Sequence, residues 1–259
     1  MTIKLTGRKT KGYGWTPDLP DHRDLLYAAP APHLRALPSK ADLRPHCPPV
    51  YDQGQLGSCT ANAIAAAVEF DQMKQSLPSV FVPSRLFIYY NERVLEGTVS
   101  QDSGAQIRDG IKSVAKLGVC PEAEWPYRIA KFAVKPAANC YKDAVQYRAL
   151  SYQKVARDLG QMKGCLASGY PFVFGFTVYE SFESAAVAKS GRVPLPSAGE
   201  QVLGGHAVVA VGYDDAQQVF FVRNSWGPAW GLKGYFLMPY AYLLHAGLSS
   251  DYWTVRLVG

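Results

Sequence analysis

The hydrophobic pattern changes period half-way along the chain, and that change limits the fold more than any other feature. Between residues 59 and 117, apolar side chains recur near helical spacing. Ile64, Val68 and Met73 mark a first run over 59–75; Leu86, Phe87, Tyr90 and Val94 mark a second over 83–95, with Ser84 at its start. A third run, 106–117, ends at Gly118 as a glycine C-cap. From residue 172 onward the spacing becomes two. Residues 172–178, 207–213, 219–223 and 235–238 are rich in aromatic and β-branched side chains and bounded by Gly, Asp or Pro, as strands are. Helices followed by strands predict an α+β fold in two sub-domains, mainly helical over about 39–148 and mainly β over about 149–259, with a cleft between them.

Residues 1–38 follow neither period. Gly7, Gly12 and Gly14, then Pro17, Pro20, Pro30, Pro32 and Pro38, predict an N-terminal extension that runs extended over a surface. Trp15, Leu19, Leu25, Leu26 and Tyr27 supply anchors that dock it on the body instead of leaving a free tail. The 48% hydrophobic and 19% charged composition of the whole chain is that of a globular protein, and no internal repeat is visible. The net charge of +6 is scattered, with no basic run interleaved with aromatics, so no nucleic-acid partner is expected. No apolar run reaches membrane-spanning length, and the first fifteen residues lack a signal-peptide stretch; the compartment, cytoplasmic or reached by a non-Sec route, stays open. Cys47, Cys59, Cys120, Cys140 and Cys165 have no metal-ligand spacing, and two disulfides among the four other than Cys59 remain possible. No phosphate-binding glycine loop is visible, and neither a metal nor an organic cofactor is expected.

One cysteine stands apart. Cys59 ends the loop Gln53-Gly54-Gln55-Leu56-Gly57-Ser58 and opens the alanine-rich first helix. Free N–H groups and the positive end of the macrodipole at a helix start lower a thiol's pKa, which makes Cys59 a candidate nucleophile. Gly57 and Ser58 allow close backbone approach, and the Gln53 amide is a second donor for a developing oxyanion. His206 follows Gly204-Gly205 at the start of a strand and is placed to take the thiol proton. The other histidines, His22, His33, His46 and His245, read as structural or surface residues. Asn224 ends the next strand and can orient the imidazole, with Trp226 two residues on to keep water from that contact.

These residues together resemble the papain family of cysteine peptidases. The run from Gln53 to Cys59, Gly205-His206-Ala207-Val208, Asn224-Ser225-Trp226-Gly227, and then Gly231 and Gly234-Tyr235 occur in that family's order. The resemblance implies a papain-like fold with a helical left sub-domain and an antiparallel β-barrel-like right one. It implies Cys59 as nucleophile, His206 as general base and acid, Asn224 as its orienter and Gln53 as oxyanion donor beside the Cys59 N–H. Ser103, Gly104 and Ala105 fall where the family binds extended substrate backbone, and Gly204 and Gly205 where it lines the second specificity pocket; Trp226 borders the same cleft. The floor of that pocket is expected from the 242–252 region, with Leu248, Ser249 and Ser250 as candidates. Leu56 and Thr60 replace the usual cysteine and tryptophan around the nucleophile, so a familiar disulfide cannot form, and the loop style resembles a bacterial branch. The implied protein is a monomeric endopeptidase acting on peptides or proteins, with residues 39–259 as the peptidase domain. The extension then resembles a short pro-segment that lies across the cleft and inhibits it. An acyltransferase or amidase on the same scaffold, or a silent peptide-binding protein, would share these residues.

Overall fold

The computed structural model describes residues 13–259; Gly7, Gly12 and the basic start of the chain lie outside them. Eight α-helices are α1 (Ala31–Arg35), α2 (Cys59–Lys74), α3 (Arg85–Glu96), α4 (Ile107–Leu117), α5 (Ala138–Ala144), α6 (Leu159–Ala167), α7 (Ala185–Ser190) and α8 (Tyr240–Leu244) among the described residues. Seven strands among the same residues are β1 (Lys40–Asp42), β2 (Ala149–Lys154), β3 (Phe172–Tyr179), β4 (Val202–Asp214), β5 (Val219–Arg223), β6 (Tyr235–Pro239) and β7 (Ser249–Val258). They form one sheet in the order β2-β7-β3-β4-β5-β6, with β1 added beside β4 and every pairing antiparallel.

The sheet separates two cores because side chains alternate across it. Val173, Val209, Val211, Trp253 and Val255 face the helical side, against Ala61, Ile64, Ala65 and Val68 of α2. Phe172, Phe174, Phe176, Phe220 and Tyr252 face the other side, with Met162 and Leu166 of α6 and Tyr242 and Leu243 of α8. Every residue of α2 from Cys59 to Gln72 is buried, so this helix is central rather than amphipathic, and only its end, with Met73 40% exposed, reaches solvent. Its small side chains allow that depth. In α3, Ser84 caps the N-terminus by accepting from Phe87 N, but Val94 is exposed. The buried face carries Tyr89, Glu92 and Arg93 instead, and Arg93 holds the following loop by donating to the Val99 and Gln101 carbonyls at 2.7 and 2.8 Å.

Two features differ from the sequence reading. Strand β4 begins at Val202, so His206 lies inside it; Gly204 and Gly205 pair with Val178 and Thr177 rather than forming a loop. The extension does run extended over the body, bridging Trp15 to Ala105 and Leu26 to Lys154, but its leucines are not its anchors. Trp15 and Tyr27 are buried, whereas Leu19, Leu25 and Leu26 are about 70% exposed. The docking is polar instead: Arg108 of α4 makes a two-pronged ion pair with Asp24 at 3.0 and 2.6 Å. All five thiols are free, and those of Cys120 and Cys140 lie with the Glu124 carboxylate within 4.8 Å of one another.

Candidate active site

The loop before α2 is fixed to the turn after β5. Gln53 N donates to Ser225 O and Gly227 N to Tyr51 O, each at 2.9 Å. Ser225 Oγ then donates to Gln53 Oε1 at 2.6 Å while Gln53 Nε2 donates to Leu56 O at 2.9 Å, so the buried amide has one orientation and one remaining N–H. Tyr127 Oη donates to Gln53 O at 2.9 Å and pairs with Ser58 Oγ at 2.6 Å. Gly57 N donates to the Asp102 carboxylate at 3.0 Å. Leu56 has no disulfide partner, yet Asp102 ties the same loop to the glycine segment ahead of α4. The network makes up for the missing cross-link.

Opposite Cys59, His206 Nε2 lies 2.9 Å from Asn224 Oδ1, which also accepts from Ser225 N at 2.8 Å. An atom accepting from a backbone N–H is the amide oxygen, so His206 Nε2 carries a proton and Nδ1 is left with its lone pair. No other described group takes Nδ1. Trp226 stacks on the imidazole with ring centroids 5.1 Å apart and 29° between planes, and it is 1% exposed. Four sequence-derived residues, Gln53, Cys59, His206 and Asn224, thus converge from α2, its loop, β4 and the end of β5. Of the other histidines, His22, His46 and His245 are exposed, and the His33 side chain lies outside the described set.

The charge state differs from the helix-start expectation. Burial pushes the Cys59 thiol up to about 12, although the N–H groups of Ala207, Gly14 and Thr60 pull the other way. Burial also pushes His206 down to about 4 against the Asn224 hydrogen bond. Desolvation outweighs the helix terminus here because both groups are fully covered, which disfavours the thiolate and the imidazolium alike.

The cover is the chain's own residues 13–16. Ala105 N donates to Gly14 O at 2.8 Å, Thr16 N to Ala105 O at 3.1 Å and Trp15 N to Gly205 O at 2.9 Å. Gly14 passes so close to the nucleophile loop that an added Cβ would stand 1.6 Å from Gly57 O. Tyr13 lies against His206 and Trp226, with ring centroids 5.9 and 6.3 Å away, and its hydroxyl donates to Glu183. Of the substrate-site residues, Gly104, Ala105, Gly204 and Gly205 all touch this segment, whereas Ser103 is exposed and its hydroxyl turns to Thr98. Trp15 fills the space over Gly175 and Gly205, and its Nε1 donates to Asp251 at 3.2 Å. Ser249 Oγ turns away to the Tyr242 and Leu243 carbonyls, and Leu248 packs on the aromatic core. Ser225, Tyr127, Asp102 and Asp251 were not distinguished by spacing, though Ser225 sits inside the Asn-Ser-Trp motif.

A family model for papain family cysteine proteases matches residues 37–254. The chain belongs to that family and is a cysteine-type peptidase. The crystal structure of xylellain, a cysteine protease from Xylella fastidiosa, is 47% identical, covers 100% of both chains and superposes with a TM-score of 0.90. An uncharacterized peptidase C1-like protein of Acanthamoeba polyphaga mimivirus is 42% identical, over 98% of this chain and 89% of its own. A cathepsin B-like protein of Giardia intestinalis is 31% identical over 77% of this chain and 68% of its own. The Xylella match agrees with the bacterial branch expected from the loop, and the mimivirus protein extends the likeness beyond bacteria.

Proposed function

We propose that this protein is a monomeric endopeptidase whose residues 39–259 form the catalytic domain and whose residues 1–38 act as a built-in inhibitory segment. His206 Nδ1 takes the Cys59 proton and the thiolate sulfur bonds to the peptide carbonyl carbon. The oxyanion is held by the Cys59 N–H and the free N–H of Gln53 Nε2. The C–N bond then breaks as the imidazolium returns the proton to the leaving amine. A water, deprotonated by His206, adds to the thioester; the C–S bond breaks, the acid product leaves and the thiol is restored. Asn224 keeps the imidazole in the Nε2–H tautomer throughout, under the cover of Trp226.

The observation that carries the inhibitory reading is the direction of the segment. The proton goes to the amine that starts the C-terminal product, so that half of a substrate lies by His206 and Trp226 while its acyl half lies along Gly104 and Ala105. The extension has Tyr13 by His206 and Trp15 against Ala105, paired parallel. It therefore runs opposite to a substrate. Amide and carbonyl are exchanged relative to the sulfur and the oxyanion donors, and Gly14 presents an N–H to Cys59 where a substrate presents a carbonyl carbon. The segment can bind by strand pairing without being cut. Gly14→Val, which cannot pass Gly57, is expected to hydrolyse a fluorogenic peptide mixture at least about tenfold faster than the wild-type chain. Gly14→Val with Cys59→Ala is expected to show none; turnover surviving in that double variant would remove Cys59 from the reaction.

A further inference from the structure

Away from the cleft, one cluster of reactive side chains has no part in the reaction. Cys120 follows α4, and a turn closed by Glu124 N donating to Pro121 O at 3.0 Å brings Glu124 back beside it. Cys140, from the middle of α5, meets them both. The two thiols are fully buried, and their sulfur atoms and a Glu124 oxygen lie within 4.8 Å of one another. Glu124 Oε2 is sealed from solvent and accepts no hydrogen bond. Asp143, one turn after Cys140 on the same face of α5, stands at hydrogen-bonding range from the Glu124 carboxylate. Among the described residues, no lysine or arginine forms an ion pair with either carboxylate. Two thiols and two carboxylates thus meet without a positive charge.

A disulfide would join the sulfurs and leave the carboxylates as they are. So would a pair of inert core thiols. Carboxylates in contact repel unless a proton or a cation lies between them, and a divalent cation satisfies the thiols and the carboxylates together. The donor set then selects the ion: magnesium and calcium take oxygen ligands, whereas zinc takes thiolate sulfur and carboxylate oxygen in a tetrahedron. Ligand atoms on such a tetrahedron stand about 3.6–3.8 Å apart, a small contraction of the cluster as it lies. The surrounding fold gives a cross-link here a purpose. Helix α5 has seven residues and no capping side chain, too short to hold by itself. The stretch opposite it reaches the reactive centre: Ser84 N donates to Cys120 O at 2.9 Å, Glu122 pairs with Arg85 at 2.6 Å, and Tyr127 holds Gln53 O.

We propose that Cys120, Cys140 and Glu124 bind a zinc ion, with Asp143 or a water as fourth ligand, and that the ion clasps α5 to the stretch supporting the nucleophile loop. The two thiols release their protons to solvent as their sulfurs bond to the metal, and the ion offsets the charge that the thiolates and the carboxylate bring together. Its role is structural, and it takes no step in peptide hydrolysis. The site departs from the metal-free reading of the sequence because its cysteines stand on different elements, far apart in the chain, without the short spacing by which metal sites are recognised.

The test uses the full chain carrying Cys59→Ala, so that the reactive-centre thiol cannot take the metal. The protein is purified with reductant, stripped with a chelator and titrated with zinc chloride or cobalt(II) chloride. One zinc per chain is expected to survive dialysis, read by plasma mass spectrometry, and to raise the melting temperature by a few degrees. Cobalt(II) is expected to give thiolate-to-metal charge-transfer absorption together with the visible bands of a tetrahedral ion. Adding Cys120→Ser and Cys140→Ser together should abolish all three signals. Glu124→Gln keeps both thiols and the shape of the side chain, and should weaken zinc binding at least about tenfold. That variant decides the matter even where the double serine variant does not fold. A folded chain that retains no zinc would overturn the proposal, and so would zinc held equally well by Glu124→Gln. A Cys120–Cys140 disulfide that forms in the wild-type chain despite saturating zinc, found by peptide mapping without reduction, would replace the ion with a covalent cross-link.

Discussion

The loop that carries Cys59 and the segment that covers it are held in opposite ways. Gln53, Gly57 and Ser58 are fixed by buried or half-buried hydrogen bonds to Ser225, Asp102 and Tyr127, with apolar packing of α2 beneath them. Loosening any of these leaves a buried polar group unpaired, which costs about 1–3 kcal/mol, so the loop has no low-cost alternative position. The extension makes edge-strand hydrogen bonds, buries two aromatic side chains and relies on Asp24, Asp18 and Arg108. Each of those groups regains water if the segment lifts. One region is scaffold, and the other is a removable cover.

That contrast is open to attack from both sides. The largest effect should come from the scaffold: Gln53→Ala in the Gly14→Val background is expected to lower kcat by about a hundredfold, since one oxyanion donor is lost, and to lower the melting temperature by a few degrees, since Ser225 Oγ and Leu56 O lose their buried partner. A fall confined to KM would argue that Gln53 serves binding only.

Next comes the cover. Arg108→Ala takes from Asp24 its two-pronged partner and leaves only Lys154, at 3.5 Å; a buried pair of this kind is worth on the order of 3 kcal/mol, so Cys59 alkylation in the full chain should rise by up to about a hundredfold. An unchanged rate would mean the ion pair does not hold the segment.

A smaller effect is expected from pH. Burial and the facing Asp251 carboxylate push Asp18 up to about 6 in the docked state, although the Arg108 N–H, the Trp253 indole and the Arg108 charge oppose them. A lifted Asp18 returns to the ordinary value of 3.8. The docked form therefore holds the proton more tightly, and its contribution is complete below the ordinary value and is lost as pH rises through about 6. Covering His206, which burial pushes down to about 4, acts in the opposite sense, so the Asp18 contribution is read as the protection of Cys59 in the wild-type chain relative to Asp18→Asn at each pH; that ratio should rise about tenfold from pH 7 to pH 5. A ratio that grows with rising pH would reverse the assignment. The smallest effect belongs to Leu25→Ser and Leu26→Ser, exposed positions where both protection and stability should stay within about 0.5 kcal/mol.

Most of the reactive centre was legible because its chemistry dictates residue types in short stretches: a thiol at a helix start, an imidazole beside small residues, an amide two positions before a tryptophan. The central helix and the strands over 172–178 and 219–223 were legible for the same local reason. What escaped depends on distant parts of the chain. Strand β7 hid behind its own bulge at Asp251, which breaks the alternation, and β2 is largely half-exposed and so carries little pattern. The leucines of the extension looked like anchors because apolarity is visible in sequence while the partner surface is not. The direction of the Cys59 shift is not legible in sequence because a helix terminus is a local feature, whereas the covering segment that meets the thiol, at Gly14, lies more than forty residues earlier.

The most direct test of a complete but covered centre is the alkylation rate of Cys59 by iodoacetamide at pH 7, compared between the wild-type full chain and Gly14→Val. The rate is expected to be at least about tenfold higher in Gly14→Val, with Cys59 as the site that changes. Equal rates in two folded proteins would mean that residues 13–16 do not guard the thiol, and the inhibitory role of the extension would fall.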